Sequence, residues 1–205
     1  MADRTATPPT GTRRSELLEA TYRYALRHGL AELSLRPLAS AIGSSPRVLL
    51  YLFGSKDGLV RALLARSRAD LLQSLGELGE RPAEPVAGDL VTFAGQVWAW
   101  LSAAEHRALM TLWVEAYARS LVDPGGPWTG FARTTVEDWL AELARVQPAA
   151  ERDTPAGLAR RTAVLAVLRG ALLDLLATGD GDRTTEAVHR QLAALAAAHG
   201  GSAGV

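Results

Sequence analysis

Apolar residues return at helical spacing along most of the chain. Leu17, Leu18, Thr21, Tyr22, Ala25 and Leu26 share one face of a helix predicted over about Thr12–His28, and Gly29 suits its C-cap. Leu38, Ala39 and Ile42 mark a short second helix, with Ser34 as N-cap and Pro37 in a first turn where its missing N–H costs little. Gly43 stops it. Ser45-Pro46 restarts the chain as cap and first helical residue, Val48, Leu49, Leu50, Leu52 and Phe53 follow, and Gly54 closes the third helix. Ser55 caps a fourth, with Asp57 in a first turn that favours negative charge and Leu59, Val60, Leu63, Leu64, Leu71, Leu72 and Leu75 along it. About 22 residues before Gly76 and Gly79 span more than roughly 30 Å, enough to leave one unit and enter another.

Beyond the connector ERPAEP (Glu80–Pro85), five more helices are predicted. They cover about Val86–Ala103, Glu105–Leu121 (apolar almost all round, hence buried on several sides), Trp128–Val146, Thr154–Thr178 and Asp182 to just before Gly200. DPGGP breaks the sixth, Thr154-Pro155 starts the eighth, and GDGD turns into the ninth. No segment alternates like a half-buried strand and no repeat appears. The expected class is all-α with about nine helices, the first three packed as a small unit.

Composition narrows the chemistry. At 205 residues, with 48% hydrophobic and 21% charged, the chain can bury a real core. It has no cysteine, which excludes disulfides, thiolate metal sites and thiol nucleophiles. No apolar run approaches membrane-spanning length and the start MADRTATPPTGTRR lacks a signal-peptide core, so no membrane contact and a cytoplasmic protein are expected. Residues 1–11, rich in Thr, Pro and Ala, are expected to be disordered. Net charge is zero but uneven: residues 1–70 hold 11 Lys+Arg against 6 Asp+Glu, or +5, and residues 71–205 hold 11 against 16, or −5. A basic head on an acidic body suits nucleic-acid binding by the head alone. Lys56 is the sole lysine beside 21 arginines.

Catalytic signatures are missing. The four histidines, His28, His106, His189 and His199, are scattered as surface or cap residues. No glycine loop follows a strand and no serine lies in a nucleophile elbow, so no catalytic residue, metal or cofactor is assigned. Glu115 and Arg119, four apart, read as a helical ion pair, with a pocket pair as the alternative. All five tryptophans, Trp98, Trp100, Trp113, Trp128 and Trp139, fall between residues 98 and 139, joined by Met110, Tyr117 and Phe131. Such rings line a cavity for a bulky ligand or fill a core, and the residues alone leave both readings open. In the last two helices Ala159, Ala163, Ala166, Gly170 and Ala177 run beside Leu158, Leu165, Leu172 and Leu176. Val188, Leu192 and Leu195 run beside Ala187, Ala194 and Ala198. Small residues let helices approach closely, either within the last hairpin or between two subunits in a four-helix interface.

A helix of two turns, a three-residue turn around Gly43 and a second short helix form a helix-turn-helix pattern. The stretch GSSPRVLLYLFGSKDGLVRALL resembles the DNA-binding domain of the TetR/AcrR family of bacterial regulators: a helix ending in Gly, a Ser cap, a short helix ending in Phe, then Ser-Lys and an apolar helix. Leu50 and Leu52 stand where that family carries aromatics, at positions expected in the core, with Tyr51 between them. The resemblance is specific over residues 12–70 and architectural beyond. It implies a DNA-binding domain at 12–70, a ligand-binding and dimerisation domain at 71–205, and a homodimer on a palindromic operator. It further implies a small-molecule effector held between helices four to eight, which favours Trp98, Met110, Trp113, Tyr117, Phe131 and Trp139 as its lining. Dimerisation is favoured over packing within the last hairpin because one recognition helix reads few base pairs, and it is expected through helices near 155–178 and 183–199. On the head, Ser34, Arg36, Ser45, Tyr51 and Lys56 are expected on phosphates and Pro46, Arg47 and Val48 nearest the bases. Arg47 rests on its place in the first turn, because the family often has Gly there. The expected function is a repressor released by a bulky hydrophobic or aromatic ligand. The alternatives are a DNA-binding protein controlled by a protein partner and, more remotely, a helical enzyme with a buried pocket.

Overall fold

The third helix is where the local chemistry is plainest. Ser45 is extended (φ −130°, ψ 153°), its hydroxyl accepts from the Val48 N–H at 3.3 Å, and Pro46 occupies the first helical turn. Gly54 then turns the chain at φ 78°, a left-handed value that a side chain resists, and the Ser55 hydroxyl caps the next helix by accepting from Gly58 N–H at 2.9 Å. Gly58 itself cannot carry a side chain: a Cβ there would lie 2.0 Å from the Phe53 carbonyl oxygen. The third and fourth helices therefore meet backbone to backbone.

This computed structural model describes residues 10–30, 33–80, 90–123 and 125–202. Among them are ten α-helices and no strand: α1 Thr10–His28, α2 Leu35–Ala41, α3 Pro46–Phe53, α4 Lys56–Glu80, α5 Leu90–Ser102, α6 Arg107–Val122, α7 Phe131–Arg145, α8 Ala149–Arg152, α9 Pro155–Thr178 and α10 Gly181–Ser202. Short 3-10 turns at Ala104–His106 and Gly126–Trp128 lead into α6 and α7.

The differences from the sequence reading have local causes. Thr10 and Gly11, expected in a disordered tail, open α1; residues 1–9, the connector after Glu80 and the expected start of the fifth helix at 86–89 lie outside the described residues. The expected seventh helix is broken where Gly130 takes φ 74° and ends the 3-10 turn. The four-residue α8 was not foreseen. It packs so closely on α9 that a Cβ on Gly157 would lie 2.1 Å from the Glu151 carbonyl oxygen. Gly200 does not end α10, which continues to Ser202. Ser34 takes the N-cap position of α2, yet its hydroxyl accepts no bond from the helix. Leu50, expected in the core, is exposed and Leu52 is half-buried, because only Leu49 and Phe53 of α3 point inward.

One continuous core joins head to body. In the head, Leu17, Tyr22 and Ala25 of α1, Leu38 and Ala39 of α2, and Leu49 and Phe53 of α3 close on Leu59, Val60 and Leu63 of α4. The same helix continues with Leu71, Leu75 and Leu78 into a body built of α5, α6, α7, α9 and α10. Its 25 residues give a rod of about 37 Å. No linker separates the parts, and residue 70 lies within this rod. No described helix is long and apolar enough to cross a membrane.

Candidate functional site

On the head, the N-termini of α2, α3 and α4 carry the residues singled out from sequence. Ser34, Arg36, Ser45, Arg47, Val48, Tyr51 and Lys56 are exposed, and Pro46 is half-buried. Tyr51 is 80% exposed, more than Val48 or Leu50 of the same helix. Arg36, Arg47 and Lys56 meet no carboxylate among the described residues, so their charges are available. Exposed N–H groups at helix starts and unpaired cations suit phosphate oxygens, and a short exposed helix suits the major groove. Arg14, by contrast, lies over the Phe53 ring at 4.9 Å and is engaged within the head.

Polar bonds brace the helices of the head, and a further bond ties it to the body. Tyr22 of α1 donates to Asp70 of α4 at 2.7 Å; burial, then that bond to a carboxylate, pushes its phenol well above its ordinary range. Arg66 of α4 pairs with Glu19 at 2.6 Å and Asp70 at 3.2 Å, fastening α1 to α4. Glu115 of α6 accepts from the Leu30 N–H at 2.8 Å, just past the end of α1, and pairs with Arg119 at 3.4 Å. The helical ion pair read from sequence is thus present, but the bond from body to head was not legible, since nothing in a sequence states which backbone N–H lies across from a carboxylate.

In the body the tryptophan cluster is nearly filled. A cavity of about 10 Å³, room for roughly one water, lies among Leu71, Leu101, Met110, Trp113, Trp139, Leu165, Leu168, Arg169 and Leu172. Met110, Trp113 and Trp139 come together there as expected. Phe131 lines an adjoining hollow of similar size with Arg68, Asp138, Trp113 and Trp139. Tyr117 stands behind Trp113, rings stacked at 5.1 Å. Trp98 is apart: its indole N–H donates to Thr185 of α10 at 3.0 Å, away from the cavity. Outside the hollow, an open cleft of about 280 Å³ runs between α4 and the turn before α7, lined by Arg61, Arg68, Phe131 and neighbours. Cleft, hollow and cavity share walls in that order, with Phe131 and the Arg68–Asp138 ion pair between the first two.

Arg169 of α9 escaped the sequence reading. It lies over the Tyr117 and Trp113 rings at 5.1 and 5.9 Å and donates only to Tyr117, through Nη1 at 3.4 Å. Its Nε and Nη2 are buried with no partner among the described residues, as is Nε1 of Trp139. Desolvation lowers its pKa from the ordinary guanidinium value. The signal was present: between Arg161 and Asp174, Arg169 is the one charged residue in a run of apolar and small residues.

The described histidines lie apart from one another: His28 packs at a tilt on Tyr24, His106 stacks on Trp100, and His189 is exposed. Among the described residues no three His, Asp or Glu side chains gather as metal ligands would. On the last hairpin the two stripes separate. Leu165, Leu172, Val188 and Leu192 are buried within the chain, while Ala159, Ala166, Gly170 and Ala177 of α9 and Ala187, Ala194 and Ala198 of α10 are exposed. A Cβ on Gly170 would meet nothing within 4 Å.

Comparison with known proteins agrees with this geometry. Residues 17–63 match the family model described as bacterial regulatory proteins, tetR family. No curated protein matches the chain significantly in sequence. In fold the chain is similar to a transcriptional regulator from Rhodococcus sp. Rha1 (TM-score 0.72, 20% identity, 89% of this chain and 95% of that one). It is similar to a TetR transcription regulator from Haloarcula marismortui ATCC 43049 (TM-score 0.70, 19% identity, 92% and 98%). It is also similar to the multidrug binding protein EbrR complexed with proflavin (TM-score 0.58, 25% identity, 87% and 99%). Residues 17–63 thus match the tetR family of bacterial regulatory proteins in sequence, and the whole chain shares its fold with the regulators it is similar to.

Proposed function

We propose that this protein is a transcription regulator of the TetR type, a homodimeric repressor released from a palindromic operator by a small, largely apolar ligand. In this reading residues 12–70 bind DNA, residues 71–205 bind the ligand and the second subunit, and the protein works in the cytoplasm. Pro46, Arg47 and Val48 read bases, while Ser34, Arg36, Ser45, Tyr51 and Lys56 hold phosphates. Met110, Trp113 and Trp139 receive the ligand, with Phe131 and Tyr117 beside them; Trp98 is a core residue against α10. The exposed small residues of α9 and α10 meet their copies in the partner.

The observation that carries the reading is on α4: Leu71 borders the body cavity and Lys56 begins the same helix in the head. Fifteen residues of helix, about 22 Å, connect them without a joint. A ligand that enlarges the cavity pushes Leu71 and Trp113. The first moves α4, and the second moves α6, whose Glu115 holds the Leu30 N–H beside the helix-turn-helix. Two recognition helices must stay about 34–36 Å apart to read successive half-sites. A displacement of a few ångströms forfeits one of them. The ligand must then bind the DNA-incompetent arrangement more tightly, and DNA must weaken the ligand by the same factor. That EbrR is found complexed with proflavin supports a ligand site in this fold.

The near-filled cavity favours a second reading, in which a protein partner rather than a small ligand controls the head. The experiment that separates them begins with genomic fragments retained by the protein, followed by a compound screen on the preformed complex. Release by a compound, lost in Trp113→Ala while operator binding persists, supports the first reading. Compounds that quench tryptophan fluorescence yet leave operator affinity unchanged sink it.

A further inference from the structure

The cavity that the ligand reading relies on presents an apolar surface, with unanswered polar groups buried just behind it. Two of the residues around it keep buried donor atoms that nothing answers, Nε and Nη2 along one edge of Arg169 and Nε1 of Trp139, and no carboxylate lies among its described lining residues. The same structure shows what such an edge is for. Arg68 uses its own Nε and Nη2 to grip both oxygens of Asp138, the Nη2 bond being 2.6 Å. Parallel N–H groups on a planar fork match a carboxylate in spacing and charge. The other side of the Arg169 guanidinium is already occupied, Nη1 by Tyr117 and one face by the rings of Tyr117 and Trp113. The side chain is therefore oriented before any ligand arrives. The cleft leading inward carries Arg61 and Arg68, and the one carboxylate among the described residues of the hollow beyond it, Asp138, is held by Arg68.

We propose that the effector is an organic carboxylate: an aromatic or branched apolar body lying among Met110, Trp113, Leu165 and Leu168, its anion held side-on by Arg169 with the Trp139 N–H in the same wall. This rests on the ligand reading and adds the charge of the ligand. A neutral amide of the same shape offers the fork one oxygen and no charge, whereas a cation offers no acceptor and adds repulsion.

The test uses the full-length protein and three compounds sharing one ring system: 1-naphthoate, 1-naphthamide and 1-naphthylmethylammonium. Affinities are measured by titration calorimetry at fixed ionic strength, and each compound is then added to the operator complex. We expect 1-naphthoate to bind about tenfold or more tighter than the amide and the ammonium compound to bind weakest. Arg169→Met should abolish that order, and Arg169→Lys, which keeps charge but not the fork, should retain part of it; circular dichroism verifies that both fold. Preference for the amide or the ammonium compound, or an unchanged preference for naphthoate in Arg169→Met, overturns the inference. If the preferred compound still releases the operator, the ligand reading survives that failure. Binding by none of the three overturns both.

Discussion

Arg169→Met is the substitution whose sign says most about the body. A structural arginine destabilises the protein when removed, because its partners are stranded. An arginine kept for an absent ligand does the opposite. Two of its donor atoms, Nε and Nη2, are buried without acceptors, and each such group costs about 1–3 kcal/mol. The side chain as a whole is only partly buried, with Nη1 bonded to Tyr117, so about half of the summed penalty is the reasonable figure, roughly 1–3 kcal/mol. Against it stand the contacts over Trp113 and Tyr117, together about 1 kcal/mol. Methionine replaces them in part through its sulfur and has a similar helix propensity. The balance favours the variant by about 1 kcal/mol, which for a chain of this length raises Tm by roughly 2–4 °C. The assay is thermal unfolding of the ligand-free protein at matched protomer concentration, since dimer melting depends on it. A Tm lowered by several degrees would refute the reasoning and make Arg169 part of the scaffold.

The remaining predictions concern DNA and assembly. Arg47→Ala should lower operator affinity by about 1–3 kcal/mol per half-site and relax preference at one base pair, read by competition against single-site operator variants; uniform weakening would make it a phosphate contact. Lys56→Ala should weaken all DNA alike and reduce the slope of log K against log[salt] by about one charge, measured by fluorescence anisotropy across a salt series. Gly170→Leu should yield a folded monomer by light scattering, because a side chain there meets nothing within its own chain. Trp113→Ala should keep operator binding and lose release by ligand, as the compound screen would read.

Punctuation residues made most of the fold legible. Ser45-Pro46, Thr154-Pro155 and the glycines at 29, 43, 54 and 179 state where helices start and stop through local chemistry alone, and the structure begins or ends helices beside each. Other features depend on what lies across space. Leu50 and Leu52 were assigned to the core by type, yet a two-turn helix lying on a rod buries only one narrow face, which Leu49 and Phe53 take. The four residues of α8 are too few to show a period. Trp98 counted with the other rings because it is near them in sequence; its indole N–H finds Thr185, which sequence spacing does not indicate. Three of the expected residues line the cavity, and the charged residue beside them, Arg169, is marked by no spacing in the sequence. A lone arginine in an apolar run can snorkel to water or stay inside, and only the packing of α6, α7 and α9 decides which.

The order of cleft, hollow and cavity also sets a tempo. A ligand entering from the cleft reaches Met110 by passing Phe131 and the Arg68–Asp138 pair. Ligand entry should therefore wait on the breathing of those two barriers and fall below the rate of free diffusion. Departure meets the same barriers, so occupancy would outlast a brief fall in ligand concentration. Asp138→Asn, which loosens one barrier without touching the innermost wall, would then speed entry and exit together, leaving the equilibrium nearly where it was. A regulator built this way averages its signal over time, and the ion pair on α4 sets the length of that average.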